Sequence, residues 1–206
     1  GRHVLEFLVE LSLRQTGKSL KIIWPIFKTM NFIGYNNRSD IRNSIDMACK
    51  LGVERFILMS ANGVRPDGTG YQQTKWEADE YLQQSGLKWT IFRPSLIFGN
   101  PGEGERQEFC KKLRDELLNM PLPAPLFYEG LIPSNVGSFC MSPIHVENIA
   151  EYFVKSITME KGIGQIYDLG GPDTINWKEL IHRISIASGK QKWQIPAPVR
   201  PVKMIA

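Results

Sequence analysis

The chain has few cysteines, no long apolar run and no block of like charge, and each shortage excludes a class. Cys49, Cys110 and Cys140 are odd in number and far apart, so they offer neither a disulfide framework nor a metal-ligand spacing. They read as three small buried hydrophobes in a reducing compartment. Lys, Arg, Asn or Pro interrupts every apolar stretch well before membrane-spanning length. The first residues carry Arg2 and Glu6 and lack the ordered regions of a signal peptide. The expected location is therefore cytoplasmic, or the matrix side of an organelle. The net charge of +4 is not gathered into a basic run with interleaved aromatics, which argues against a nucleic-acid partner. With 42% apolar and 22% charged residues, 206 residues suffice for one large domain or a domain with a smaller lobe.

What is present is a repeated strand–helix pattern. Residues 31–35 (NFIGY) read as a short buried strand. Ser39 then suits an N-cap, with Ile41, Ile45, Ala48 and Cys49 at helical spacing until Gly52 supplies a stop. Residues 53–60 (VERFILMS) follow as a strand with a continuous apolar half, as expected where both faces are buried. Thr69 and Gln72 can form a capping box for a helix running to about Ser85, and Gly86 ends it. Residues 87–98 (LKWTIFRPSLIF) are the next strand, bent at Arg93–Pro94 because a residue before proline is held extended. Two consecutive crossover units predict an α/β fold with a doubly wound parallel sheet.

Further along, a helix carries Phe109, Leu113 and Leu117, and a proline-rich stretch covers residues 121–133. Residues 145–159 are strongly amphipathic, and 165–169 read as a strand closed by Gly170–Gly171. Thr174 or Asn176 caps a helix ended by Gly189, and residues 193–198 are extended. At the start, residues 1–10 suit a helix after a glycine turn, and 20–26 a strand whose Pro25 implies an edge. The strand and glycine loop that should precede such a helix are expected to be missing.

Tyr71 and Lys75 stand four apart on the expected helix and share a face. A phenol near pKa 10 is a poor acid–base group at neutral pH, and a neighbouring ammonium favours the phenolate. Such a tyrosine can exchange a proton with a carbonyl or alcohol while a nicotinamide exchanges hydride. The bland reading is a surface tyrosine packed beside a snorkelling lysine.

The elements around the pair decide for chemistry. A strand, the short linker ANGVRPDGTG (61–70), the Tyr-x-x-x-Lys helix, and a strand ending RPSLIFG (93–99) occur in the order of short-chain dehydrogenases/reductases. HVENIA (145–150) and YDLGGP (167–172) add a later helix start and a strand with its turn. The chain resembles the extended and atypical branches of that superfamily, which include epimerase-like proteins. Its nearest resemblance is to the NAD(P)-binding group similar to the 39 kDa subunit of respiratory complex I.

The resemblance implies a Rossmann-type dinucleotide-binding part over residues 1–99. A smaller mixed lobe over 100–206 would cover a small-molecule substrate, with 143–160 packing back on the sheet. It implies NAD or NADP as cofactor, the two not distinguished; no metal site is expected, and the oligomeric state is open, a homo-oligomer or larger assembly among the options. Tyr71 would be the acid/base and Lys75 the ribose contact. Ser60 would end the strand beside the nicotinamide, Gly34 would lie where the backbone passes the cofactor, and Pro94 and Ser95 would flank the nicotinamide amide. Gly1 would be the last glycine of the pyrophosphate turn. One departure bears on activity: the usual active-site serine or threonine falls at Ala61, leaving Ser60 or Asn62 to polarise a substrate oxygen. An NAD(P)-dependent oxidoreductase or epimerase-like enzyme is one expectation. A catalytically silent NAD(P)H-binding assembly or stability subunit, or a redox-responsive regulator, is the other.

Bland readings stand beside these. Gly34 serves either as a cofactor passage or as a turn glycine. His145 suits capping or packing at a helix start, and His182 an exposed helical position. Arg93 is either a buried ion-pair partner or a substrate anchor. The five tryptophans fall mostly on core faces.

Overall fold

The computed structural model describes residues 38–99, 109–119, 121–128, 133 and 135–198. The expected elements at 1–10, 20–26 and 31–35, with Gly1 and Gly34, lie outside the described residues. Along the chain come α1 (Arg38–Lys50), β1 (Phe56–Met59), α2 (Gly70–Gln83), β2 (Trp89–Pro94) and β3 (Ile97–Phe98). Then follow α3 (Phe109–Leu113), which continues as a π-helical turn at Arg114–Leu118, β4 (Ala124–Tyr128), β5 (Cys140–Met141) and β6 (Ile144–His145). The last are α4 (Val146–Thr158), β7 (Gln165–Leu169), β8 (Ile175–Asn176), α5 (Trp177–Ala187) and β9 (Gln194–Pro198). They form two compact units, one of residues up to Ser95 with His145–Leu169, the other of Leu96–Ile144 with residues from Gly170 onward.

The first unit is a parallel sheet in the order β1-β2-β7 with helices on both faces. Its register sets Leu58 opposite Ile91 and Phe92 opposite Tyr167. Alternation along the strands then divides the side chains. Leu58 and Ile91 pack with Ile45 of α1 and with Ala78 and Leu82 of α2 in one buried cluster. Phe92 points the other way, its ring centroid 5.1 Å from that of Phe153 on α4 and 5.8 Å from that of Tyr167. Burial on both faces is why the strands read as continuous apolar runs.

Local signals place the helix ends. The capping box is made: Thr69 N–H donates to Gln72 Oε1 at 2.9 Å, and Gln72 N–H to Thr69 Oγ1 at 3.4 Å. Gly52 takes φ +63°, and Val53 N–H reaches back to the Ala48 carbonyl at 3.0 Å, closing α1. Helix α1 starts at Arg38, so Ser39 sits inside its first turn and not at its cap.

The second unit packs Ala124 and Leu126 of β4 against Ile175 and against Trp177, Leu180 and Ile181 of α5. Trp177 Nε1 donates to the Pro125 carbonyl at 2.9 Å. Here the structure corrects several expectations. The proline-rich stretch holds strand β4, parallel to β9, in a sheet that among the described residues has two strands, so that each is an edge strand that tolerates proline. The single strand expected at 87–98 is two, because the chain leaves the sheet after Pro94. Asn176 caps α5 by accepting from Glu179 N–H at 2.8 Å, whereas Thr174 pairs with the Ser142 hydroxyl at 2.9 Å. Cys49 and Cys140 are exposed and Cys110 is half-buried: Cys49 turns out of the last turn of α1, and Cys140 lies on a strand paired along one edge. Trp193 is 83% exposed, at the entry to β9, so it is not core.

Gly171 is required by close approach. A Cβ there would lie 2.0 Å from the Pro143 carbonyl oxygen, and the backbone has no flexible side chain to yield. Gly171→Ala is expected to cost about 2 kcal/mol of unfolding free energy, in the overpacking range. A urea midpoint equal to wild type would show that this turn relaxes freely.

Candidate functional site

The three parallel strands end together. Beyond β1, Ser60 N–H donates to the Phe92 carbonyl at 2.7 Å and Asn62 N–H to the Pro94 carbonyl at 3.0 Å. Ser95 N–H donates to the Leu169 carbonyl at 2.8 Å. In an open α/β sheet, ligands bind outside this carboxyl edge. Helix α2 begins there, which brings its first turns to the edge.

One stripe of α2 carries the reactive groups. Tyr71 is in the first turn and 55% exposed. Lys75 follows one turn on, half-buried, with Nζ 5.9 Å from the centre of the Tyr71 ring, within cation–π range. Asp79 comes a turn later and is fully buried. The spacing i, i+4, i+8 puts all three on one face. Strand alternation supplies what lies beneath: Ser60 continues the Phe56–Leu58 side of β1, and Arg93 the Ile91 side of β2, so both face α2. Arg93 donates to Asp79 Oδ2 through Nε and through Nη2, each at 2.9 Å.

The electrostatics follow from burial. Burial pushes the Asp79 carboxyl up, and Ser60, Arg93 and Lys75 pull it back down. Ser60 Oγ is close enough to exert that pull, yet neither it nor Asp79 Oδ1 makes a hydrogen bond of good geometry. Burial also lowers the Lys75 ammonium, and the Asp79 carboxylate raises it. The Tyr71 phenol is raised by burial. That direction is opposite to the one expected from a neighbouring ammonium. Burial of the phenol decides the direction here.

The structure thus sets Lys75 over the Tyr71 ring and Ser60 beside Asp79, further along the same face of α2, with Pro94 buried and Ser95 half-buried at the adjoining strand end. Ala61 is half-buried and Asn62 exposed beside Ser60. Arg93 is an ion-pair partner. His145 caps α4, its Nδ1 accepting from Glu147 N–H at 3.4 Å, and His182 is exposed. Asp79 was not foreseen, although its position two turns after Tyr71 and the basic residue before Pro94 together carried a signal for it.

The chain has a Rossmann-like α/β fold, similar to the NAD(P)-binding domains of epimerase-like, short-chain dehydrogenase-type proteins. Residues 16–114 match a family model described as NAD(P)H-binding. The chain is 25% identical over 183 residues to UDP-glucose 4-epimerase of Vibrio cholerae, covering 79% of this chain and 52% of that protein. It is 24% identical over 164 residues to NAD(P)H azoreductase of Xenophilus azovorans, covering 79% and 47%. It shares its fold with the UDP-glucose 4-epimerase of Thermus thermophilus, solved as a complex with NAD. There the TM-score is 0.57 at 21% identity, over 77% of this chain and 56% of that one. The chain spans about half the length of the curated relatives it matches. No helix among the described residues is long and apolar enough to cross a membrane.

Proposed function

We propose that this chain is the nucleotide-binding part of an NAD(P)-dependent oxidoreductase or epimerase-like enzyme. The observation that carries the reading is the Tyr71–Lys75 stripe at the carboxyl edge of the parallel sheet. The half-buried ammonium and the backbone beyond the strand ends suit the nicotinamide-ribose half of a dinucleotide. A bound nicotinamide would supply or take up a hydride. In this reading Lys75 donates hydrogen bonds to ribose hydroxyls, and Pro94 and Ser95 flank the nicotinamide amide. Gly34, and Gly1 at the pyrophosphate, complete the cofactor contacts. Tyr71 passes its phenolic proton to a carbonyl oxygen or accepts one from an alcohol. Next to Ala61, exposed Asn62 and buried Ser60 are the polar groups left to orient a substrate oxygen. The substrate is a small organic molecule, and the names of the relatives point toward a sugar nucleotide.

A second reading is favoured by two facts: Ala61 stands where a hydroxyl residue is usual, and the Tyr71 phenol is raised by burial. On that reading the chain binds NAD(P)H without turnover, as an assembly or stability subunit or a redox-responsive regulator. The group similar to the 39 kDa subunit of complex I, and a homo-oligomer or larger assembly, belong here. Titrating NADPH and NADH into the folded protein, followed by nicotinamide fluorescence, tests what both readings share. Saturable micromolar or tighter binding is expected, and its absence would reject both. Steady NAD(P)H consumption on a panel of carbonyl compounds then selects the enzyme, and slow cofactor exchange without consumption selects the silent subunit.

A further inference from the structure

We propose that Asp79 is a positioning residue for Lys75: Arg93 holds one carboxylate oxygen, and the other serves the lysine as its buried counter-ion. This rests on Lys75 being the ribose contact and names what keeps it charged and aimed. Three observations carry it. Asp79 is fully buried, and both donors from Arg93 converge on Oδ2, each at 2.9 Å. Oδ1 is buried with no hydrogen bond of good geometry, only the poorly aligned Ser60 hydroxyl acting on the carboxylate besides Arg93 and Lys75, although a buried carboxylate oxygen normally has one. Lys75 is one helical turn away on the same face, where an opposite charge interacts most directly.

The charge balance gives the pair its purpose. Groups acting on Lys75 are the Tyr71 ring under its ammonium and the Asp79 carboxylate on its own helix. Strand β2 contributes Arg93 through the carboxylate it shares, and β1 contributes the uncharged hydroxyl of Ser60. Two cations thus act on one buried anion, Arg93 in direct contact and Lys75 through its charge. An aspartate bound to Arg93 alone would be a finished structural ion pair. Here the oxygen that Arg93 does not hold lets the same anion offset the burial that disfavours the ammonium. A lysine that lost its proton would lose one of the donors a ribose needs, so the carboxylate supports cofactor binding without touching the cofactor.

The test reads Lys75 itself. The rate of Lys75 acylation in short pulses of acetic anhydride, followed by peptide mass spectrometry, is measured against pH in wild type and Asp79→Asn. Only the neutral amine reacts, so the midpoint reports the ammonium. Asp79→Asn is expected to move that midpoint down by about one pH unit, giving roughly tenfold faster acylation at fixed pH below it. In parallel, NADPH affinity should fall off at lower pH in the variant than in wild type. An unchanged Lys75 midpoint overturns the inference whether or not NADPH binds. A shifted midpoint in a protein that never binds NADPH supports the charge coupling and rejects the nucleotide reading. Should Asp79→Asn fail to fold, Lys75→Met reports the same coupling in reverse. The Asp79 carboxyl, followed by its 13C resonance, should then titrate at higher pH than in wild type, and an unmoved titration overturns the proposal.

Discussion

Tyr71→Phe should abolish turnover while leaving NAD(P)H affinity nearly intact. The phenol ring, which packs beneath the Lys75 ammonium, is retained in phenylalanine, so the ground-state packing survives. What disappears is the phenolic proton that the proposed reading assigns to the transfer, a role worth roughly 10²–10⁴-fold in rate. The direction of the phenol's displacement adds a second expectation. Burial raises it above its ordinary value near 10, so it stays protonated through neutral pH. Proton donation to a carbonyl therefore runs at full strength at neutral pH. Proton removal from an alcohol needs the phenolate, and its rate should climb as pH rises toward the raised pKa. Steady-state rates of wild type and Tyr71→Phe in both directions, from about pH 6 to about pH 10 so as to approach the phenol's titration, check this. Equal turnover in the two proteins would sink the assignment of Tyr71 as acid/base.

The features that could be read in advance were those fixed by neighbouring residues. The Thr69–Gln72 box, the Gly52 and Gly86 stops and the break at Pro94 are local chemistry, and the structure shows each in place. The doubly wound first unit followed from two strand–helix repeats, since strands buried on both faces leave continuous apolar runs. What escaped was decided by partners distant in sequence. Strand β4 exists because β9, some seventy residues on, gives it a parallel neighbour, and its prolines hid it. Cys49, Cys140 and Trp193 look apolar in composition, but their exposure depends on which edges and ends the fold leaves uncovered. The same contrast runs through the site. Tyr71 and Lys75 were visible as a helical pair. Asp79 gained meaning only once strand β2 brought Arg93 beneath α2, which also decided between the two readings of Arg93. The orientation of Lys75 over the ring depends on rotamers, and the direction of the Tyr71 displacement on burial, and spacing encodes neither.

That ion pair makes the largest expected difference to stability. Arg93→Leu leaves Asp79 as a fully buried carboxylate with Lys75 as its remaining counter-charge. Breaking a buried pair from one side costs about 3 kcal/mol, toward the lower end because Arg93 keeps 22% of its side chain exposed. The pH dependence has a definite sign. Burial already raises Asp79 in the folded wild type, and removing the Arg93 contribution raises it further. Over the interval between the unfolded and folded values, the folded variant holds a proton that the unfolded chain has released. Stability of the variant therefore falls as pH rises through that interval and levels off above the folded pKa. Below the unfolded value of ordinary aspartate both states are protonated and the penalty is absent. Urea unfolding near pH 5 and near pH 8 should show a smaller deficit relative to wild type at the acid end. Adding Asp79→Asn to Arg93→Leu removes the stranded charge, so the double variant should lose less than Arg93→Leu alone at pH 8 and show little of its pH dependence. A deficit equal at both pH values, or a double variant whose losses simply add, would mean that Arg93 stabilises the fold by packing and not by neutralising Asp79.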